Sequence, residues 1–229
     1  MLVTPATQDA SWAGSNLIRV FDRERAAVSL ELCPSDPSNL VENGPLANTA
    51  IAELIVNDPK GMVGPRHGAE DPFPIRCSFF DVGARTALEV HPALFGADPL
   101  EGVAARTKAW YVVAAEPGAS VIAGIKAGFS RHLVASKLES PGLERMLQQL
   151  PSEPGDAYFI GAGRVNALSA GNLIFCVEQN EGDTLLVSDW NDKAAPRSPD
   201  CRTDLDATRA IHFQDRTPAR IRGDATRVP

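Results

Sequence analysis

Glu89 and His91 stand two residues apart in the string LEVHP. On an extended strand such positions project to one face, so a carboxylate and an imidazole address the same space. That pairing suits a divalent metal or general acid–base chemistry. A metal centre needs at least three good ligands, and Glu178 or Cys176 is a candidate for a third. The other histidines, His67, His132 and His212, fall in loop, helix and tail contexts without ligand spacing and read as surface residues. Cys33, Cys77, Cys176 and Cys201 are far apart, and no CxxC pair occurs. A zinc knuckle and a thioredoxin-like motif are therefore not indicated, and each thiol reads as buried and inert. Arg85 and Arg106 are candidates to hold an anion, against the simpler reading of solvated surface charge. Gly161-Ala162-Gly163 is too short to argue for a phosphate loop and reads as a corner. Trp12, Trp110 and Trp190 read as core.

The elements that carry these residues are short. The runs 73–82, 86–92, 108–116, 119–125, 156–163, 166–171, 172–179 and 184–190 are apolar and separated by turn signals such as Glu-Pro-Gly and Glu-Gly-Asp. Many short strands at regular spacing predict a sandwich or barrel. Two further strands are predicted earlier, over 17–21 and 27–33. A helix is predicted over 48–58, where Ile51, Leu54 and Ile55 share one face. Loops are expected over 34–46 and 60–72. A helical insert interrupts the β pattern over about 130–150, with one helix to about 139 and a second from 141 or 142, capped by Ser140. From 193 to 229 the chain reads as a polar tail with one amphipathic piece at 208–213.

The chain has 229 residues, enough for one large domain with a sizeable core. Apolar residues make up 44% and charged residues 22%, which excludes disorder, collagen and coiled coil as whole-chain descriptions. A net charge of −7 and the lack of an obvious basic face argue against a nucleic-acid partner. No apolar run approaches the roughly 20 residues that span a bilayer, so no membrane partner is expected. The N-terminal segment lacks a basic region followed by an apolar one. A cytoplasmic location with reduced thiols is the expectation.

Ordered strings make the reading more specific: W-x-G-x-x-L at 12–17, PSNLVENGP at 37–45, FPIRCSFFD at 73–81, LEVHP at 88–92, ARTKAWYVV at 105–113, PGDAYFIGAGRVNAL at 154–168 and VEQNEGDTLLVSDW at 177–190. Together they resemble the type I mannose-6-phosphate isomerases, zinc-dependent cupins, from about residue 12 to 192. The short RAIHF segment is similar to the piece that follows the cupin core in that family. The resemblance implies a mainly β fold, a cupin jelly-roll barrel with a small α-helical insert. It divides the chain into a cupin domain over 1–192 and a polar C-terminal tail over 193–229, a stub of the family's second domain. It also implies interconversion of mannose 6-phosphate and fructose 6-phosphate, with proton transfer between C1 and C2.

At the implied zinc site the match breaks. His91 stands on the family's first histidine ligand. Glu89 replaces a Gln ligand or Lys. The family's G-K-[TP]-E-x-W carries a glutamate ligand where this chain has Lys108, whose ammonium has no lone pair. The family's G-[TL]-x-H-A-[IL] carries a histidine where this chain has Asn166, a weak zinc ligand. A lysine of the FP segment corresponds to Ser78, and an arginine of the family's last string corresponds to Leu186. Framework motifs persist where the chemistry does not.

The expectation is therefore an isomerase-like cupin that has lost zinc binding and catalysis. Glu89, His91, Lys108 and Asn166 line its cavity, and no cofactor is expected. Its ligand would be a sugar, a sugar phosphate or another small polar molecule, with Arg85 and Arg106 as phosphate contacts. Catalytic residues are unassigned. Glu89 and Lys108 are expected to form an ion pair in the space a metal would fill, against the alternative that both are solvated at a wet barrel mouth. Two other readings stand beside this one. An active isomerase would use a rearranged zinc site containing His91, the weak metal candidate. A structural or regulatory cupin would act as a homo-oligomer.

Overall fold

The computed structural model describes residues 2–22, 27, 29–34, 36–66, 73–93, 100–198, 200–203, 206–213, 215 and 218–221. His67 lies outside them. The strands are β1 (Ala6–Gln8), β2 (Ser29–Leu32), β3 (Ile75–Val82), β4 (Leu88–Val90), β5 (Lys108–Ala115), β6 (Ser120–Ile125), β7 (Leu147–Pro151), β8 (Ala157–Ile160), β9 (Val165–Leu168), β10 (Asn172–Gln179), β11 (Thr184–Ser188), β12 (Cys201–Arg202) and β13 (Arg220–Ile221). They form two sheets, in the orders β1-β2-β3-β10-β5-β8-β13 and β12-β11-β4-β9-β6-β7. Every pairing is antiparallel except β11 with β12.

Alternation along β5 explains how the sheets close on each other. Lys108, Trp110 and Val112 are buried, while Ala109 and Tyr111 are exposed. One face of the first sheet therefore points inward. There Trp110, Val112, Tyr158, Ile160, Ile174 and Cys176 pack against Val121, Ala123 and Leu168 of the second sheet. The second sheet is buried on both faces. Leu88, Val90, Val165, Leu185 and Val187 turn outward into another core with Val134, Leu143 and Met146. Each such side chain, fully buried, contributes about 1.5–3 kcal/mol.

The helices are short: α1 (Asn16–Phe21), α2 (Ile51–Asn57), α3 (Pro59–Val63), α4 (Arg131–Ala135) and α5 (Ala207–Ala210). None of the described helices is long and apolar enough to cross a membrane.

Four local expectations differ from the structure. Residues 17–21 are helical rather than extended, because Asp81 of β3 accepts a hydrogen bond from the Leu17 amide at 2.7 Å. The predicted loop after residue 60 begins with α3, whose N-terminus is held by the Asp58 carboxylate accepting from Gly61. The second helix of the insert is one 3-10 turn, Glu144–Met146, followed directly by β7. There Gln149 donates to the Ser120 hydroxyl at 2.8 Å and the backbone joins β6. The segment expected as a tail is joined to the sheets. β12 pairs with β11, β13 pairs with β8, and α5 buries Ala207 and Ala210 in the outer core.

Candidate functional site in the barrel

Register across the sheets builds the site. In the first sheet, Ile160, Lys108, Glu178 and Arg76 stand opposite one another in one row. The next inward row is Tyr158, Trp110, Cys176 and Ser78. In the second sheet Glu89 pairs with Asn166, which pairs with Ala123. Glu89, His91, Lys108 and Asn166 are 6%, 1%, 7% and 2% exposed, so all four predicted positions are buried.

Their partners differ sharply. Glu89 is held by Ser198, whose amide donates to Oε1 and whose hydroxyl donates to Oε2, both at 2.6 Å. Burial pushes its carboxyl above the usual range, and the Lys108 charge opposes that shift. Asn166 turns its amide to backbone, donating to the carbonyls of Glu89 and Arg164, each at 3.2 Å. His91 Nδ1 lies 3.2 Å from the Asp183 carbonyl and 3.3 Å from the Thr184 hydroxyl. A carbonyl only accepts, so Nδ1 carries the proton. His91 Nε2 is buried and has no hydrogen-bond partner among the described residues. Burial first, and then the Lys108 ammonium, hold this imidazole well below its ordinary value and keep it neutral.

Lys108 Nζ sits 4.7 Å from the centre of the Trp110 ring, a cation–π contact. It makes no hydrogen bond or ion pair among the described residues. The expected direct Glu89–Lys108 pair is therefore replaced by a longer-range interaction. The two residues stand in different sheets, and Ser198 occupies both carboxylate oxygens. As whole residues both are buried, 6% and 7% exposed.

A rearranged metal site finds its donors engaged. Glu178 receives Arg76 Nε at 2.8 Å and faces Arg106 Nη1 at 3.7 Å. Burial raises the Cys176 thiol to about 12. Cys201, beside Glu89, is raised to about 12 by burial and by that carboxylate. Among the described residues, no three His, Cys, Asp or Glu side chains gather as a metal would require. Among the described residues the Lys108 ammonium acts on both Glu89 and His91, and His91 Nε2 is an uncommitted donor atom, short of the three ligands that zinc requires.

The arginines expected as phosphate contacts are engaged elsewhere. Arg106 is 4% exposed, so it is not a rim residue. It donates to the carbonyls of Glu181 and Gly182 at 3.3 and 2.6 Å and to Asp200 at 2.7 Å. Arg85 lies 3.5 Å over the Trp190 ring and donates to Glu144 at 2.6 Å, pinning the insert to the SDW string. A cavity of about 540 Å³ beside the barrel is lined by Ala123, Lys126, Gln148, Gly163, Arg164 and His212, among others.

Sequence reasoning missed Ser198 and Thr184, which hold Glu89 and His91 from more than ninety residues away. No local spacing announces such contacts. The partnership of Trp110 with Lys108 had a signal, since the two are separated by one residue on a strand.

Comparison with known proteins bears on this arrangement. No model of a protein family matches the chain. A solved structure, the mannose 6-phosphate isomerase from Bacillus subtilis, superposes with a TM-score of 0.75 and 25% identity, covering 93% of this chain and 68% of that one. A zinc-bound mannose 6-phosphate isomerase shares the fold at a TM-score of 0.64 and 12% identity, covering 81% of this chain and 69% of the other. The architecture is thus the cupin barrel of the phosphomannose isomerases. Among curated proteins, YvyI of Bacillus subtilis, assigned by its name to the mannose-6-phosphate isomerases, is 28% identical over 220 residues, 93% of this chain and 65% of its own length. Further relatives from Bacillus subtilis and Streptococcus mutans, 24% to 26% identical, carry the same family name. The chain is thus similar to proteins named mannose-6-phosphate isomerase, and it spans between about half and two thirds of the length of these curated relatives.

Proposed function

We propose that this chain is a mannose-6-phosphate-isomerase-like cupin that binds a sugar, a sugar phosphate or a related small polar ligand in its barrel, without zinc and without isomerase turnover. The observation that carries this reading is the buried Lys108 ammonium, the foremost charge acting on both Glu89 and His91. A divalent cation beside it would meet like-charge repulsion in a weakly screened interior. Its remaining donors, apart from His91 Nε2, are already committed to Ser198, Arg76 and backbone. Arg85 and Arg106 are held by Glu144 and Asp200, so neither is assigned to the ligand. A cytoplasmic setting accords with four unpaired thiols.

The test is metal content by mass spectrometry on untagged protein, after zinc incubation and desalting, with mannose 6-phosphate turnover assayed alongside. The expected result is sub-stoichiometric zinc and no formation of fructose 6-phosphate. Near-stoichiometric zinc that disappears in His91→Ala, or robust turnover, would overturn the reading. One observation favours that second outcome, an isomerase with a rearranged centre: the uncommitted lone pair on His91 Nε2.

A further inference from the structure

Among the described residues two polar groups of the barrel interior make no hydrogen bond, Lys108 Nζ and His91 Nε2, and they are complementary. Lys108 offers up to three N–H donors and is 7% exposed. His91 offers one acceptor, Nε2, and is 1% exposed. Its other nitrogen is fixed as a donor by the Asp183 carbonyl. A buried acceptor left unpaired costs free energy; no described protein group donates to His91 Nε2, and Lys108 Nζ meets the Trp110 ring. Lys108 lies on β5 and His91 directly follows β4, and both strands are hydrogen-bonded to neighbours and flanked by packed cores.

We propose that Lys108 Nζ and His91 Nε2 form a donor–acceptor pair that binds a polyhydroxylated ligand directly, with the lysine as the fixed cation of the site in place of a metal. This inference rests on the ligand-binding reading above and names how recognition occurs. A ligand oxygen accepts from Lys108, and a ligand hydroxyl donates to His91 Nε2. The second requirement is selective. A bare anion such as sulfate satisfies the ammonium and leaves the imidazole unpaired, whereas a sugar or alditol satisfies both.

The experiment is calorimetric titration of EDTA-treated protein with mannose, mannitol, mannose 6-phosphate and sulfate, repeated with added zinc, on wild type, Lys108→Met and His91→Phe. The expected result is metal-free binding of at least one hydroxylated probe, no binding of sulfate, and about tenfold or greater weakening in each variant. Circular dichroism checks that the variants fold. If either does not, the ¹⁵N resonance of His91 Nε2 in the wild type supplies the readout, since a donated hydroxyl must move it. Binding without zinc that is indifferent to both substitutions, or that leaves the Nε2 resonance unmoved, would overturn the inference and spare the ligand-binding reading. Binding only with zinc would overturn the metal-free reading itself. Absence of binding by every probe, with and without zinc, would remove the ligand-binding reading and this inference together.

Discussion

Burial first, and the nearby Lys108 charge second, lower the proton affinity of His91 and keep it neutral in the fold. In the unfolded chain the same imidazole regains its ordinary value of about 6.5. Below that pH the unfolded state takes up a proton that the native state refuses, so stability is lost as pH falls from about 6.5 toward the depressed native value. The slope for one such proton is about 1.4 kcal/mol per pH unit. Urea denaturation of wild type and His91→Gln between about pH 7 and pH 5.5 should therefore diverge, the wild type losing more stability on acidification. Carboxylates common to both proteins largely cancel in that difference. Parallel curves would mean that the fold takes up the His91 proton as readily as the unfolded chain does, and acidification would then turn Nε2 from an acceptor into a donor. At this scale much of the site was legible. The separation of Glu89 and His91 by one residue predicts a common face, and both are buried and feel the charge of Lys108, which stands out in the sequence as an ammonium among expected ligands. What each group binds was not legible, because Ser198 and Asp183 reach them through tertiary contacts.

The helix α1 illustrates how an element is decided from outside its own sequence. Its residues, NLIRVF, contain the branched and aromatic side chains that favour strands. Ser15 provides no side-chain cap at its N-terminus. The fully buried Asp81 carboxylate, on β3, replaces it by accepting from the Leu17 amide and from Asn16 Nδ2 at 3.4 Å. Gly14 permits the approach, since a Cβ there would lie 2.0 Å from an Asp81 oxygen. Removing the carboxylate leaves buried donors unpaired. Asp81→Ala should cost about 1–3 kcal/mol in urea denaturation, and Asp81→Asn less, since an amide oxygen can still accept. Equal losses in both variants would assign the effect to charge rather than to capping. The same physics accounts for β7. Its sequence LQQLP follows a helix-like run, and only pairing with β6 makes it a strand. The longer strands were readable because their alternation is intrinsic to the pleat. Elements fixed by a distant partner were not.

Across the whole molecule, the segment after residue 192 joins the two sheets. β12 extends the second sheet and β13 extends the first, while α5 and Ile211 fill the core on the outer face of the second sheet. Ser198 reaches into the barrel to hold Glu89, and Asp215 pairs with Arg164. Its polar composition suggested a tail because the burial is concentrated in a few small apolar residues, Ala195, Ala207, Ala210, Ile211 and Ala219. Small side chains give a weak hydropathy signal yet allow close packing. Ile211 is the largest of them and is 5% exposed, against Leu88, Val165 and the rest of the outer core. If the segment is integral, Ile211→Ala should destabilise the entire barrel by about 2–4 kcal/mol, the range for a large-to-small substitution in a packed core. Far-ultraviolet circular dichroism and Trp fluorescence would then report one shared, lowered urea midpoint, because Trp110 lies in the barrel interior on the other sheet. An early transition in one probe, with the Trp110 signal unmoved, would instead make residues 193–221 a separately melting appendage. The hold on Glu89 would then be a local contact rather than a property of the fold.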